Sequence, residues 1–168
     1  MTITVDPAGP DQAPLLGNLL ELYMHDLSDV FPIELGPDGR FSYQDLPRYW
    51  QEPDRRFAFI VRTDRDPLGF VLVTRGSPAS DDPLDLDVAE FFVLRRFRRS
   101  GVGRRAACTL WDRFPGRWVV RVAERNRGAL RFWRTIIPEY TRGRFEEHGL
   151  TLSGRAWSVF TFVSPPEE

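Results

Sequence analysis

Residues 90–106 read Glu-Phe-Phe-Val-Leu-Arg-Arg-Phe-Arg-Arg-Ser-Gly-Val-Gly-Arg-Arg-Ala. The stretch opens with β-prone apolar residues at 91–94, passes through an arginine-rich run, and turns through Gly101 and Gly103 into a helix-forming segment. The first N–H groups of a helix have no internal partner, and the helix dipole adds positive potential there. Glycines let the backbone approach a phosphate, and arginines add charge and forked donors. The stretch therefore predicts a binding site for a phosphorylated ligand.

The bulk composition indicates a single soluble globular domain. The chain has 168 residues, of which 42% are hydrophobic and 28% charged. Its net charge of -1 gives no general attraction to nucleic acid or to an anionic membrane. All 23 basic residues are arginines, which excludes lysine Schiff-base chemistry. Cys108 is the single cysteine, so no intramolecular disulfide or cysteine metal site can form, and we predict no metal cofactor.

The chain carries no pattern typical of secretion or of membrane insertion. No apolar run approaches the roughly 20 residues that span a bilayer, and the first residues lack the basic and apolar regions of a signal peptide. We therefore predict a cytoplasmic protein with no membrane or nucleic-acid partner. The sequence leaves the oligomeric state open, a homodimer included.

Hydrophobic periodicity predicts one mixed α/β (α+β) domain over residues 1–164, with a frayed tail at 165–168. The predicted order of elements is β-α-α-β-β-β-α-β-α-β-β. A helix that begins at Asn126 is expected to end at Pro138. Segments 140–146 and 157–163 are expected to form closing strands on either side of a turn at 147–149.

The glycine pair by itself also fits a dinucleotide-binding motif. Residues 101–106 match G-x-G-x-x-A, and Glu124 lies near the place of a ribose-binding acid. Five residues separate the predicted strand from Gly101, however, and too little chain remains for the further βαβ units of such a fold. An NADP-dependent oxidoreductase is therefore a minor alternative. A P-loop is excluded because no G-K-[S/T] follows the glycines.

A second motif follows about two dozen residues later in the chain. The first part is R-x-x-G-x-G at Arg98, Gly101 and Gly103, and the second is Asn-x-x-Ala-x-x-Phe-Trp at 126–133. Together they closely resemble the signature of the GNAT superfamily, the acyl-CoA-dependent N-acyltransferases, across residues 90–137. The resemblance implies a GNAT-like fold with about four helices and a mixed sheet of about six to seven strands. It also implies a splay between the strands near 85–94 and 117–123, and acetyl-CoA as co-substrate.

The same resemblance implies roles for particular residues. Backbone groups at the strand end would bind the pantetheine arm, together with the Asn126 side chain. N–H groups from Arg99 to Arg104 would hold the pyrophosphate, with charge from the arginines. Phe132 and Trp133 would flank the thiol, although helical spacing equally supports core packing for Phe132. The predicted cofactor-binding set is Phe92, Val93, Leu94, Arg98, Arg99, Ser100, Gly101, Val102, Gly103, Arg104, Asn126, Phe132 and Trp133.

Acetyl transfer to an amine by direct attack needs a base but no enzyme nucleophile. Glu90 is the first candidate, because a carboxylate among apolar strand residues can have a raised pKa. The alternative is that Glu90 points outward or pairs with an arginine. Many family members carry a tyrosine acid where this chain has Trp133, whose indole is no practical acid. Either Tyr140 substitutes for it or water protonates the thiolate.

The acceptor is predicted to be a primary amine of a small molecule or peptide. In the family's architecture the first helices, their loop and the closing strands build the acceptor pocket. Carboxylates with aromatic rings there suit a cationic amine, although acids in loops are more often simply solvated. A non-catalytic acyl-CoA-binding or sensing module is the main alternative function, because Trp133 replaces the usual tyrosine. The predicted acceptor residues are Tyr23, Asp26, Tyr43 and Trp50.

Overall fold

Seven strands join in one mixed sheet. The computed structural model describes residues 1–166. The strands are β1 (Thr4–Pro7), β2 (Arg56–Arg62), β3 (Pro67–Arg75), β4 (Leu86–Val93), β5 (Gly116–Ala123), β6 (Glu146–Leu152) and β7 (Arg155–Ser164). The sheet order is β1-β2-β3-β4-β5-β7-β6, and every neighbouring pair is antiparallel except β4 and β5.

Four α-helices cover the two faces of this sheet. They are α1 (Ala13–Leu27), α2 (Arg48–Gln51), α3 (Val102–Arg113) and α4 (Arg127–Thr141). The helix α1 buries Leu16, Leu19 and Leu20, which share one helix face, against one side of the sheet. The other side is covered by α3 and α4, whose apolar stripes include Leu110 and Ile137.

The strands β4 and β5 separate soon after they begin to pair. They share only two register pairs, Leu86 with Trp118 and Asp87 with Val119, although both strands continue beyond those residues. The chain leaves β4 through a short 3-10 turn at Arg95–Phe97 and enters α3 at the glycine turn. The predicted fold class, including the splay between these two strands, is thereby confirmed. With a single parallel pair, the sheet lacks the repeated βαβ units that a dinucleotide fold requires.

The C-terminal third differs from the prediction in one respect that concerns the site. Pro138 does not end α4, which continues to Thr141. The proline removes a single backbone donor, while its own carbonyl still accepts a hydrogen bond from Gly143 N at 2.9 Å. Residues 140–141 therefore belong to a helix, and 147–149 lie inside β6 rather than in a turn. The actual turn is formed by Ser153 and Gly154, both with positive φ.

Two further predictions concern the ends and the surroundings of the domain. Residues 167–168 of the predicted frayed tail lie outside the described residues, so that prediction is untested. Among residues 1–166, no helix is both long and apolar enough to cross a membrane.

Candidate active site

The divergence of β4 from β5 opens a cavity of about 310 Å³, which we call the splay cavity. Aromatic rings from four elements and from the loop after α1 surround it, and one carboxylate and one guanidinium also reach it. The lining comprises Tyr23, Leu27, Phe31, Val88, Ala89, Glu90, Phe91, Val120, Arg121, Val122, Ala123, Asn126, Ala129, Trp133 and Trp157.

A second cavity of about 560 Å³ adjoins the splay cavity and shares Ala89, Glu90 and Arg121 with it. We call it the polar cavity, because charged and hydroxyl side chains make up most of its lining. Its wall includes Tyr43 and Tyr49 from the segment that follows α1. Glu90 and Arg121 therefore stand at the junction of two adjoining spaces.

A β-bulge in β4 aims Glu90 at this junction. Leu72 of β3 pairs with Glu90 while its neighbour Val73 pairs with Val88, so Ala89 is an extra residue in β4. In a regular strand, residues three apart point to opposite faces. The bulge instead brings Asp87 and Glu90 to the same side, where Asp87 pairs with Arg121 and Glu90 lines both cavities with Arg121.

Two phenols hold the Glu90 carboxylate. The Tyr23 hydroxyl of α1 donates one hydrogen bond to it, and the Tyr43 hydroxyl donates another at 3.2 Å. Burial raises the pKa of Glu90 above its ordinary value, while the two phenolic hydrogen bonds oppose that rise. Burial, together with the nearby Glu90 charge, raises the pKa of both tyrosines, which keeps them as donors. The carboxylate is thus fixed in place with a raised proton affinity.

The neighbouring Asp87 is neutralised by a buried ion pair. Its two oxygens accept hydrogen bonds from Nε and Nη2 of Arg121, each at 2.8 Å, and the Ser77 hydroxyl donates a third bond. Asp87 has 0% exposure. Hydrogen bonding of this kind compensates the desolvation of both charges. Asp87 is committed to Arg121, whereas the oxygens of Glu90 are held by neutral donors.

The glycine turn forms the helix start that the sequence predicts. Gly101 is the N-cap residue of α3 with φ 85°, a left-handed conformation that favours glycine. The N–H groups of Val102, Gly103 and Arg104 lie in the first turn, where a helix leaves its donors without internal partners. A Cβ atom added at Gly103 would lie 3.0 Å from the Phe132 ring of α4. The second glycine therefore permits close packing of α4 against the start of α3.

A groove of about 650 Å³ runs from this helix start to the splay cavity, and we call it the α1–α4 groove. It shares six residues with the splay cavity, so the two spaces adjoin. Those shared residues are Tyr23, Leu27, Phe91, Asn126, Ala129 and Trp133. Most of the remaining lining comes from the end of β4, from the turn before α3 and from α4.

The arginines before the glycine turn are tied to α1 through Asp26. Arg98 donates to Asp26 at 2.6 Å, and Arg95 donates to it at 2.7 Å. Burial opposes ionisation of Asp26, but the hydrogen bonds from Arg98 and Arg95 hold its pKa below the ordinary value. Asp26, which the sequence predicts as an acceptor-binding residue, lines the α1–α4 groove beside Arg95 and Arg98. Arg98 also donates through Nε to the carbonyl of Val93 at 2.8 Å.

The start of α4 brings the second half of the sequence motif to the groove. The Asn126 side chain accepts a hydrogen bond from Ala129 N at 3.3 Å and so caps the helix. Phe132 and Trp133 both lie against Phe91 of β4, with ring centroids 5.6 and 5.0 Å apart. Both side chains pack on the core and also line the groove. The two interpretations of Phe132, core residue and groove residue, therefore both apply.

Two predicted site residues lie elsewhere. The Tyr140 hydroxyl donates to Asp112 of α3 at 2.7 Å, and its ring packs on Trp111. It lies away from the site because α4 continues past Pro138. The Trp50 indole donates to the carbonyl of Ala8 at 2.9 Å. Among residues 1–166, neither Tyr140 nor Trp50 lines the groove or the two cavities.

Sequence reasoning missed several residues that the fold brings to the cavities, among them Arg121, Tyr49 and Trp157. Arg121 is a charged residue within an otherwise apolar strand pattern, and this exception to the pattern could have identified it from the sequence. Tyr49 lines the polar cavity and Trp157 lines the splay cavity, but nothing in the sequence distinguishes them from core aromatics. Among residues 1–166, no group of three or more His, Cys, Asp or Glu side chains could hold a metal ion.

A mixed sheet that splays beside a buried carboxylate and a glycine-initiated helix places the chain in the class of GNAT-type acyltransferase folds. The sequence model of the family described as "Acetyltransferase (GNAT) family" matches residues 18–136. The protein belongs to this family, whose members are acyl-CoA-dependent acetyltransferases. The resemblance noted from the two motifs is confirmed.

Solved structures support the same fold. An acetyltransferase from Thermus thermophilus superposes with TM-score 0.63 at 20% identity, over 97% of each chain. Spermidine N-acetyltransferase from Vibrio cholerae, solved with CoA and spermine, gives TM-score 0.63 at 13% identity, over 96% of this chain and 95% of that one.

A third similar structure is that of an enzyme named for a different kind of acceptor. The ribosomal-protein-S18-alanine N-acetyltransferase from Escherichia coli gives TM-score 0.61 at 14% identity, over 96% of this chain and 94% of that one. At these identities the likeness establishes the fold alone. A search of curated proteins finds no significant match.

Proposed function

We propose that the protein transfers an acetyl group from acetyl-CoA to a primary amine of a small molecule or peptide, by direct attack in a ternary complex. One observation carries the proposal. The divergence of β4 from β5 opens the splay cavity beside the buried carboxylate of Glu90, and this cavity adjoins the α1–α4 groove. Glu90 also lines the polar cavity. An acyl donor in the groove and an amine in the adjoining cavities would meet at this residue.

The groove residues fit the chemistry of acetyl-CoA. We assign the pyrophosphate to the donor-rich start of α3, where backbone N–H groups from Arg99 to Arg104 and the side chains of Arg98, Arg99 and Arg104 supply positive charge. The pantetheine would lie along the end of β4 from Phe92 to Leu94, in the manner of an added strand. In this structure the Val93 carbonyl accepts a hydrogen bond from Arg98. Bound pantetheine would replace Arg98 as the donor to that carbonyl.

Glu90 supplies the proton acceptor in this proposal. When bound, acetyl-CoA provides a thioester whose thiolate is a good leaving group. Glu90 first takes one proton from the ammonium, directly or through water, and the neutral amine nitrogen then bonds to the acyl carbon. The C–S bond breaks, and the second proton lost by the nitrogen passes through water to the thiolate. Tyr23 and Tyr43 hold the carboxylate for this transfer. A backbone N–H near Val93 is the natural donor to the developing oxyanion.

The hydrogen bonds from Tyr23 and Tyr43 to Glu90 imply how kcat should depend on pH. We expect Tyr23→Phe to move the acidic limb of kcat to higher pH. Each phenol favours the ionised carboxylate, so removing one raises the Glu90 pKa further and leaves less of the base form at low pH. Above the limb, the rates of variant and wild type should converge.

The profiles are measured at saturating substrate with one acceptor throughout, so that ionisation of the acceptor cancels. Tyr43→Phe is the matched control, and its shift should be smaller because its hydrogen bond to Glu90 is long, at 3.2 Å. An unchanged limb in Tyr23→Phe would remove Glu90 as the titrating base.

The proposal needs no side-chain acid for the thiolate. Tyr140 lies on the α3 side of α4, bonded to Asp112. We expect Tyr140→Phe to keep kcat within about twofold of wild type and to lose about 1 kcal/mol or less of unfolding free energy, the cost of one hydrogen bond. Thiol release and thermal melting measure the two effects. A tenfold fall in kcat at unchanged stability would restore Tyr140 as the acid.

A second candidate function is a non-catalytic acyl-CoA-binding or sensing module. The observation that favours it is that Trp133 occupies the place of the family's tyrosine while Tyr140 lies away from the groove. Thermal-shift titration with acetyl-CoA, longer acyl-CoAs and NADP tests binding. Thiol release across a panel of amines then separates the two functions. Stabilisation by acetyl-CoA without amine-dependent thiol release would favour the sensor.

A further inference from the structure

Two buried polar atoms among residues 1–166 have no hydrogen bond of good geometry, namely the Tyr49 hydroxyl and the Trp157 indole nitrogen Nε1. Arg56 and Tyr43 interact with the Tyr49 hydroxyl, so Trp157 is the clearer case. Each belongs to one of the two cavities that meet at Glu90: Tyr49 lines the polar cavity and Trp157 lines the splay cavity. A buried donor without a partner costs a fold roughly 1–3 kcal/mol. A group of this kind calls for an explanation, such as an ordered water, an ion or a functional role.

The Trp157 ring is held firmly in its position. It lies on β7 opposite Ala123 of β5, and Phe31 from the loop after α1 stacks on it with centroids 5.8 Å apart and planes 27° from parallel. The Arg121 guanidinium lies 6.0 Å from the Trp157 ring. The Trp157 ring is therefore fixed in place, and Trp157 lines the same cavity as Glu90.

The neighbouring charges determine what this donor can bind. Arg121 is committed to Asp87 through two hydrogen bonds, so it is already compensated within the fold. The indole is neutral, and it can donate but cannot accept a hydrogen bond. It therefore suits an uncharged oxygen atom, such as a carbonyl or a hydroxyl, better than a second ammonium group.

We propose that the Trp157 indole N–H binds an oxygen of the acceptor, and that the acceptor is an amine with a carbonyl or hydroxyl oxygen a few bonds from its nitrogen. This inference rests on the proposed acetyl transfer. The amino group faces Glu90, the oxygen accepts from Trp157, and the carbon body lies against the rings of Tyr23, Phe31 and Phe91. Trp157 thus selects between acceptors rather than taking part in proton transfer.

The test compares acceptors that share a phenyl body. Phenylalaninamide carries a carbonyl, phenylalaninol a hydroxyl, and 2-phenylethylamine neither, while spermidine represents an acceptor with several ammonium groups. The readout is the ratio of kcat/KM for each oxygen-bearing amine to that for 2-phenylethylamine. Trp157→Phe should reduce at least one of these ratios about tenfold or more, because the site then lacks its donor. Comparing ratios cancels the different basicities of the amines.

Trp50→Phe is the matched control. Its indole nitrogen has a backbone partner, so this variant should lose thermal stability and keep both ratios. Trp157→Phe removes a donor without a partner, so its loss of thermal stability comes from ring packing alone and should not exceed that of Trp50→Phe. The pair therefore separates ligand recognition from a structural role, because only Trp157→Phe should change the ratios.

Other outcomes overturn the inference. If Trp157→Phe leaves the kcat/KM ratios unchanged, the indole does not bind an oxygen of the acceptor. An equal loss with all acceptors would place it at the acetyl group. Preference of the wild type for spermidine over every oxygen-bearing amine would contradict the acceptor class. In each of these cases wild-type acetylation still stands, whereas absence of thiol release with every amine would defeat the proposed function itself.

Discussion

Replacing Glu90 with glutamine is expected to lower kcat/KM by about 10²–10⁴-fold, the range that positioned acid–base groups contribute. Glutamine keeps the size of the side chain, and its carbonyl oxygen can still accept a hydrogen bond from one of the two phenols while its amide NH2 donates to the other. It cannot take the proton that the ammonium must lose before its nitrogen attacks. Acetyl-CoA affinity should therefore change little, since Glu90 does not line the α1–α4 groove.

The pH dependence of this defect provides the sharper measurement. Above the pKa of the acceptor, the amine is neutral without help from the enzyme, so the gap between Glu90→Gln and wild type should narrow as the pH rises. Glu147→Gln is the control for loss of a carboxylate. Glu147 lies on the outer strand β6, pairs with Arg134 of α4, and lines neither the groove nor the two cavities. A defect of equal size at all pH values would argue for a binding role of Glu90 instead.

The parts of the site that were predictable are those encoded by local sequence. Gly101 and Gly103 follow an apolar strand and precede a helix, and each of these features has its own short-range signal. Asn126 likewise precedes an amphipathic helix and caps it. A glycine turn and a capped helix form wherever their own residues allow, so the two halves of the groove could be placed from the sequence.

Features that depend on pairing between strands could not be predicted in this way. The bulge at Ala89 is a mismatch between β3 and β4, and it decides that Asp87 and Glu90 share a face. Without it, period-two reasoning would separate them. Asp26 looks like a free acid in a loop-rich region of the sequence, yet its partners Arg95 and Arg98 lie about seventy residues away in the chain.

At Tyr140 a strong local sequence signal gives a wrong prediction, because tertiary packing outweighs it. Proline usually ends a helix, and the sequence therefore predicts a strand after Pro138. In the fold, Tyr140 packs on Trp111 and Thr141 is fully buried at 0% exposure. Burial of this last turn outweighs the loss of one backbone hydrogen bond. The direction of the Tyr140 side chain follows from that balance and is not encoded locally.

Gly103→Asp is expected to weaken acetyl-CoA binding at least about a hundredfold, since charged hydrogen bonds are worth roughly 1.5–3 kcal/mol each and at least two should be lost. The substitution places a carboxylate in the first turn of α3, where we assign the pyrophosphate. Titration calorimetry with acetyl-CoA measures the change. Gly149→Asp on the outer strand β6 adds the same charge in open space and should leave the affinity unchanged.

Comparing Gly103→Asp with Gly103→Ala separates the effect of charge from the effect of crowding. Gly103→Ala adds only a Cβ, 3.0 Å from the Phe132 ring, which must then shift slightly. Its loss of affinity should be about tenfold or less, as expected for modest crowding. An aspartate near the start of a helix is favoured by the dipole, so Gly103→Asp should not unfold the protein through its charge. Equal losses in the two variants would point to closure of the groove by Phe132, and retained affinity in Gly103→Asp would show that the pyrophosphate binds elsewhere.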